Sequence, residues 1–162
     1  MSAGATLPSI RLELFLRGDT YGTFDTQEAM LDRVRALERT DYVDETVVNG
    51  VEKRVRATGS SSEALRTFEA FESWAAARGM DLGPAFDRRT QTTLVSDDVY
   101  DVVVFPVACL AVYEDDDIRA VAPARNDDEV ITVEAILDAL ENREFETWLT
   151  RLDARHPVRA ST

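Results

Sequence analysis

VVVFPVACLAVYEDDDIRAVAPA, residues 102–124, contains the longest apolar run of the chain, Val102 to Tyr113, and its only cysteine. Taken as a strand, the run places Val107, Cys109, Ala111 and Tyr113 on one face and Ala108, Leu110 and Val112 on the other. Apolar residues on both faces predict a central strand covered from both sides. Pro106 interrupts the run, and a proline cannot donate to a sheet ladder, so it needs a strand start, an edge or a bulge. Glu114 to Asp117 then reads as a hairpin turn leading into a strand over 118–122. Cys109 on such a strand behaves as a small buried hydrophobe. The reactive alternative, a single-thiol redox protein, needs a base or a helix end beside the thiol. No such neighbour is legible in the sequence.

Outward from this stretch the chain alternates strand and helix patterns. IRLELFLR, residues 10–17, carries Ile10, Leu12, Leu14 and Leu16 at a strand's period of two. Asp25 followed by Glu28 has capping-box spacing, and Met30, Val34 and Leu37 recur at helical intervals, which predicts a helix over about 26–39. Asn49-Gly50 lies between β-rich flanks and signals either a hairpin or a bulge in one long strand; the hairpin, with Glu45 opposite Arg54, is the preferred reading. A second helix follows over about 60–79, from Ser60 and Glu63 to Gly79, with Leu65, Phe68, Phe71 and Trp74 on one stripe. Thr132 caps a helix bearing Ile136, Leu137 and Leu140, and a further helical piece carries Phe145, Trp148, Leu149 and Leu152. The expected organisation is a flexible N-terminus over 1–9, one α+β domain over 10–153 and a tail over 154–162.

Thirty-one acidic residues against 18 basic ones give a net charge of −13, and only Lys53 among the bases is a lysine. In molar salt the Debye length falls to about 3 Å, so a crowded carboxylate surface repels itself little. The composition therefore predicts a protein of a salt-loaded haloarchaeal cytoplasm. The apolar runs are too short for a bilayer span, and the N-terminus MSAGATLPS is not a secretory signal. Residues 1–89 carry a net −3 and residues 90–162 a net −10. Any face that meets a polyanion is thus expected in the first half, from Arg33, Arg35, Lys53, Arg54 and Arg56.

The element order β-α-β-α-β-β-α, and above all PVACLAVYEDDDIRAVAPA with its proline, strand, acidic turn and strand, resembles the thioredoxin fold with a C-terminal helical extension. That resemblance implies a cis proline at Pro106 beside the functional end of the sheet. Thioredoxin-type redox chemistry needs a thiolate at the first helix, normally in C-x-x-C. The corresponding loop here, RGDTYGTFD, has no cysteine, so the architecture comes without that chemistry. IRLELFLRG, TQEAMLDRVRAL and FPVACLAVYEDDDIRAVAP together resemble a family of short acidic haloarchaeal proteins that commonly carry a helix-turn-helix label. This implies a DNA-binding regulator. Such a motif joins its two helices by three or four residues, whereas the helices at 26–39 and 60–79 stand twenty residues of strand character apart.

Catalytic constellations are missing. The single histidine, His156, sits in the tail, which leaves no placed base for a nucleophile. Cysteine and histidine are too few for a zinc site, and no phosphate-cradling glycine loop occurs. Asp115 to Asp117, and Asp127 to Glu129, read as solvated acidic turns rather than Mg²⁺ sites. The expectation is a non-catalytic protein without a cofactor. It is an interaction or regulatory module working through the sheet end near Gly18 to Phe24 and Pro106, with a protein partner, or alternatively a DNA-associated regulator using the five basic residues above.

Overall fold

Pro106 does not sit within a strand; it marks the point where the chain leaves one sheet for another. The computed structural model describes residues 9–18, 24–51, 54–56, 63–92, 95, 99–126 and 129–155. The single strand expected over the apolar run is two: β5 (Val99–Val104) and β6 (Ala108–Glu114), in different sheets. Phe105 to Val107 form the crossing, where a residue without an N–H interrupts no ladder. The resemblance implied a cis bond here. The cis prolyl bonds among the described residues are instead Gly83–Pro84 and Ala122–Pro123.

The main sheet has the order β2-β1-β6-β7, with β1 at Ile10–Arg17, β2 at Glu45–Val51 and β7 at Asp117–Ala122. β1 runs parallel to β2 and antiparallel to β6, which pairs antiparallel with β7 across the turn at Asp115 and Asp116. A parallel neighbour requires a crossover, supplied by α1 (Phe24–Glu38). The hairpin expected at Asn49-Gly50 is therefore not formed. β2 runs straight through both residues, and Glu45 stands opposite Arg11 of β1 rather than Arg54.

Arg54–Arg56 form β3 in a second, three-stranded antiparallel sheet of order β3-β5-β4, with β4 at Asp87–Thr92. A short pair, β8 (Ala124–Arg125) and β9 (Val130–Ile131), precedes α3 (Val133–Glu141) and α4 (Phe145–Arg155). The chain is thus α+β, with helices and strands sharing one buried cluster that runs from Ile10 to Leu152.

Alternation along β1 puts Leu12 and Leu14, both fully buried, on one face and Phe15 on the other. Phe15 meets Phe71 of α2 (Glu63–Ala77) edge-on at 5.8 Å between ring centroids. From there Phe71, Phe86, Phe68 and Phe105 continue the aromatic contacts into the second sheet. Edge-to-face geometry of this kind adds to what area burial alone contributes. α2 ends as its sequence demands: Gly79 has φ +67°, and the Met80 amide closes back on the Ala75 carbonyl at 2.8 Å.

Candidate functional site

Of the five basic residues expected to converge, Arg33 is already engaged. Its Nε donates to Glu141 Oε2 at 2.9 Å, and its Nη2 to Glu141 Oε1 and Asp138 Oδ1 at 2.6 Å each. The fork joins α1 to α3 and holds the guanidinium charged, chiefly through the Glu141 hydrogen bonds, while the Glu141 carboxyl is pulled below its ordinary range. Arg35 is exposed, two positions and so about 200° further round α1. Arg54 and Arg56 stand in β3 of the other sheet, and Lys53 lies outside the described residues. Arg33 is therefore not a free member of such a stripe.

The sheet end at Pro106 is likewise occupied from within. Arg17 Nη1 donates to the Phe105 carbonyl at 2.9 Å, and Gln27 Nε2 donates to the carbonyls of Arg17 and Val107 at 2.9 Å each. The Arg17 amide also bonds to the Val107 carbonyl. Residues 19–23 of the loop expected to contribute here lie outside the described residues. Cys109 is 1 % exposed, and burial pushes its thiol well above the ordinary range, so it offers no thiolate. Among the described residues no group of three or more acidic, histidine or cysteine side chains could hold a metal ion. Asp127, Asp128 and His156 lie outside them.

The structure brings together something else: α3 and α4, joined by only Asn142, Arg143 and Glu144. The first helix starts at Thr132, whose Oγ1 accepts from the Ala135 amide at 3.1 Å. It stops in a Schellman pair, with the Arg143 amide bonded to the Leu140 carbonyl at 3.2 Å and the Glu144 amide to the Ala139 carbonyl at 2.8 Å. Arg143 takes the left-handed position with φ +57°, normally a glycine's place. The Trp148 amide then bonds to the Glu144 carbonyl, which begins α4 at once.

Ile136, Leu137 and Leu140 of α3 and Phe145, Leu149 and Leu152 of α4 are buried, and Trp148 stacks on Phe145. The solvent side of the turn and α4 then carries Arg143, Thr147, Thr150 and Arg151 at helical spacing, with Glu144 and Glu146 exposed beside them. Arg78, in the turn directly after α2, anchors the far end of α4 through Asp153 at 3.2 Å. Arg33 neutralises two of the carboxylates that α3 would otherwise present beside the stripe. The two helical segments were each legible in the sequence. The signal for their pairing is the three-residue gap between Glu141 and Phe145, which lies in the acidic half of the chain, away from the cluster of basic residues.

A protein family described as a helix-turn-helix domain matches residues 5–151, a span that takes in α3, the turn and most of α4. No curated protein and no solved structure matches the chain. No helix among the described residues is long and apolar enough to cross a membrane.

Proposed function

The chain belongs to the helix-turn-helix domain family, and from that premise we propose that it is a non-catalytic, DNA-associated regulator of a haloarchaeal cytoplasm. α4 is the helix laid against the duplex and α3 the supporting one. The observation that carries this reading is the three-residue turn between them, the spacing such a motif requires. Arg143 and Arg151 supply the phosphate or base contacts from the exposed stripe, with Thr147 and Thr150 between them. A non-glycine residue held at positive φ in that turn is the kind of local strain that gathers at functional positions. Arg35, exposed on α1, extends the basic surface only where the duplex reaches past α4. The competing reading, a protein-binding module at the sheet end near Pro106, is weaker because Arg17 and Gln27 already take up the carbonyls there.

The test is selection from a random duplex library in molar KCl, followed by affinity measurement on the enriched sequence. Wild type should enrich a sequence. Arg151→Gln should bind it less tightly, with a salt slope smaller by about 0.9 for a lost phosphate contact. Arg143→Gly should weaken binding while leaving the fold as stable or more so, because glycine suits a positive φ. No enrichment by wild type, or variants that bind as well as wild type, would refute the assignment.

A further inference from the structure

Away from α4, the turn after α2 and the start of β8 face each other across a groove of about 350 Å³, lined by Leu82, Pro84, Ala85, Pro123, Arg125 and Val130 among others. Its size is at the lower end of small-molecule sites. Two of its walls are prolines, which have no amide to donate. Val130 is 63 % exposed beside it, an apolar side chain left uncovered on a surface otherwise rich in carboxylates.

One cation borders this apolar space. Arg125 is exposed and enters no ion pair among the described residues. Its backbone is fixed on both sides: it pairs with Val130 across β8 and β9, and with Asp81 through bonds of 2.7 and 2.8 Å. Asp81, its nearest acidic neighbour along that bridge, turns its Oδ1 back to the Gly83 amide at 3.0 Å. Among the described residues the Arg125 guanidinium thus stands at the groove's edge without a carboxylate partner, in a protein of net charge −13.

We propose that this groove binds a small apolar carboxylate, its hydrocarbon body against Leu82, Pro84, Pro123 and Val130 and its carboxylate paired with Arg125. The planar guanidinium suits a two-pronged carboxylate contact. In molar salt, where the Debye length is about 3 Å, only such direct contact retains electrostatic value. Both halves of the ligand are then needed: the apolar body for burial and the charge for orientation. This site is independent of the α4 stripe.

Octanoate and 1-octanol, titrated calorimetrically into the full chain in molar KCl, separate the two halves. Wild type should bind octanoate saturably and at least tenfold more tightly than 1-octanol. Arg125→Gln should lose that tenfold, about 1.4 kcal/mol, and leave 1-octanol unchanged. Val130→Asp, at an exposed position where the fold tolerates it, should lose both ligands, with the thermal midpoint monitored alongside. The proposal is overturned if octanoate does not saturate, if Arg125→Gln binds it as well as wild type, or if Val130→Asp leaves the affinity intact.

Discussion

Replacing Cys109 by alanine should reverse its effect on stability as the pH rises. The thiol lies on β6 opposite Phe15 of β1 and is 1 % exposed. Removing its sulfur deletes one small buried group, at a cost of about 1 kcal/mol near neutral pH, which for a chain of this size is about 2–4 °C in the midpoint. Burial holds the native thiol protonated far into the alkaline range. In the unfolded chain it ionises with a pKa of about 8.5. Above that value the unfolded state binds fewer protons than the native state, so wild-type stability falls with pH, approaching about 1.4 kcal/mol per unit. By about pH 9.5 the accumulated loss is about 1.4 kcal/mol, enough to cancel the advantage of the sulfur. Wild type and Cys109→Ala should therefore have equal stability between about pH 9 and 9.5, and the variant should be the more stable at pH 10. Tyr113, pushed up to about 12 by burial, and Tyr42, raised by burial too, are present in both proteins, and Cys109 is the smallest of the influences on Tyr113, so their contributions largely cancel from the difference. Urea unfolding in molar KCl at half-unit pH steps measures it. A gap that stays constant from pH 7 to 10 would show that the native thiol ionises freely, and the buried assignment would fail.

Raising KCl from about 0.1 to about 1 M shortens the Debye length from about 10 to 3 Å, so the thermal midpoint should climb as the net −13 is screened; a flat or falling midpoint removes the basis for a salt-loaded cytoplasm. The Arg33 fork should be visible in acid. Glu141 is held below its ordinary range, so its contribution is present above the unfolded value of about 4.3 and lost as the pH falls through the lower native one. Its side chain is 38 % exposed, which limits that contribution to under about 1 kcal/mol. Glu141→Gln should accordingly flatten the acid limb of the stability curve between pH 5 and 3, and superimposable limbs for variant and wild type would dissolve the α1–α3 clamp.

Local chemistry was enough to read most elements. Thr132 caps α3, Gly79 closes α2, Met30, Val34 and Leu37 form the buried stripe of α1, and Asp115 and Asp116 turn between β6 and β7. Each of these depends on residues within a turn or two of one another, so the sequence alone carries them. Net charge and the buried character of Cys109 follow from composition and from apolar neighbours on both strand faces in the same way. What the sequence could not decide was set by partners far along the chain. Asn49-Gly50 would suit a hairpin, yet the hydrogen bonds of β2 go to β1, some thirty-five residues earlier, because α1 carries the chain back parallel to it. The apolar run around Pro106 looks continuous, but its two halves pair with different strands, and a proline at the crossing leaves no ladder bond unmade. Arg33 reads as a free base until α3 returns across the sheet more than a hundred residues later and places Asp138 and Glu141 against it. Side-chain charge is written in the sequence, but whether it faces solvent or a partner depends on which distant elements pack together.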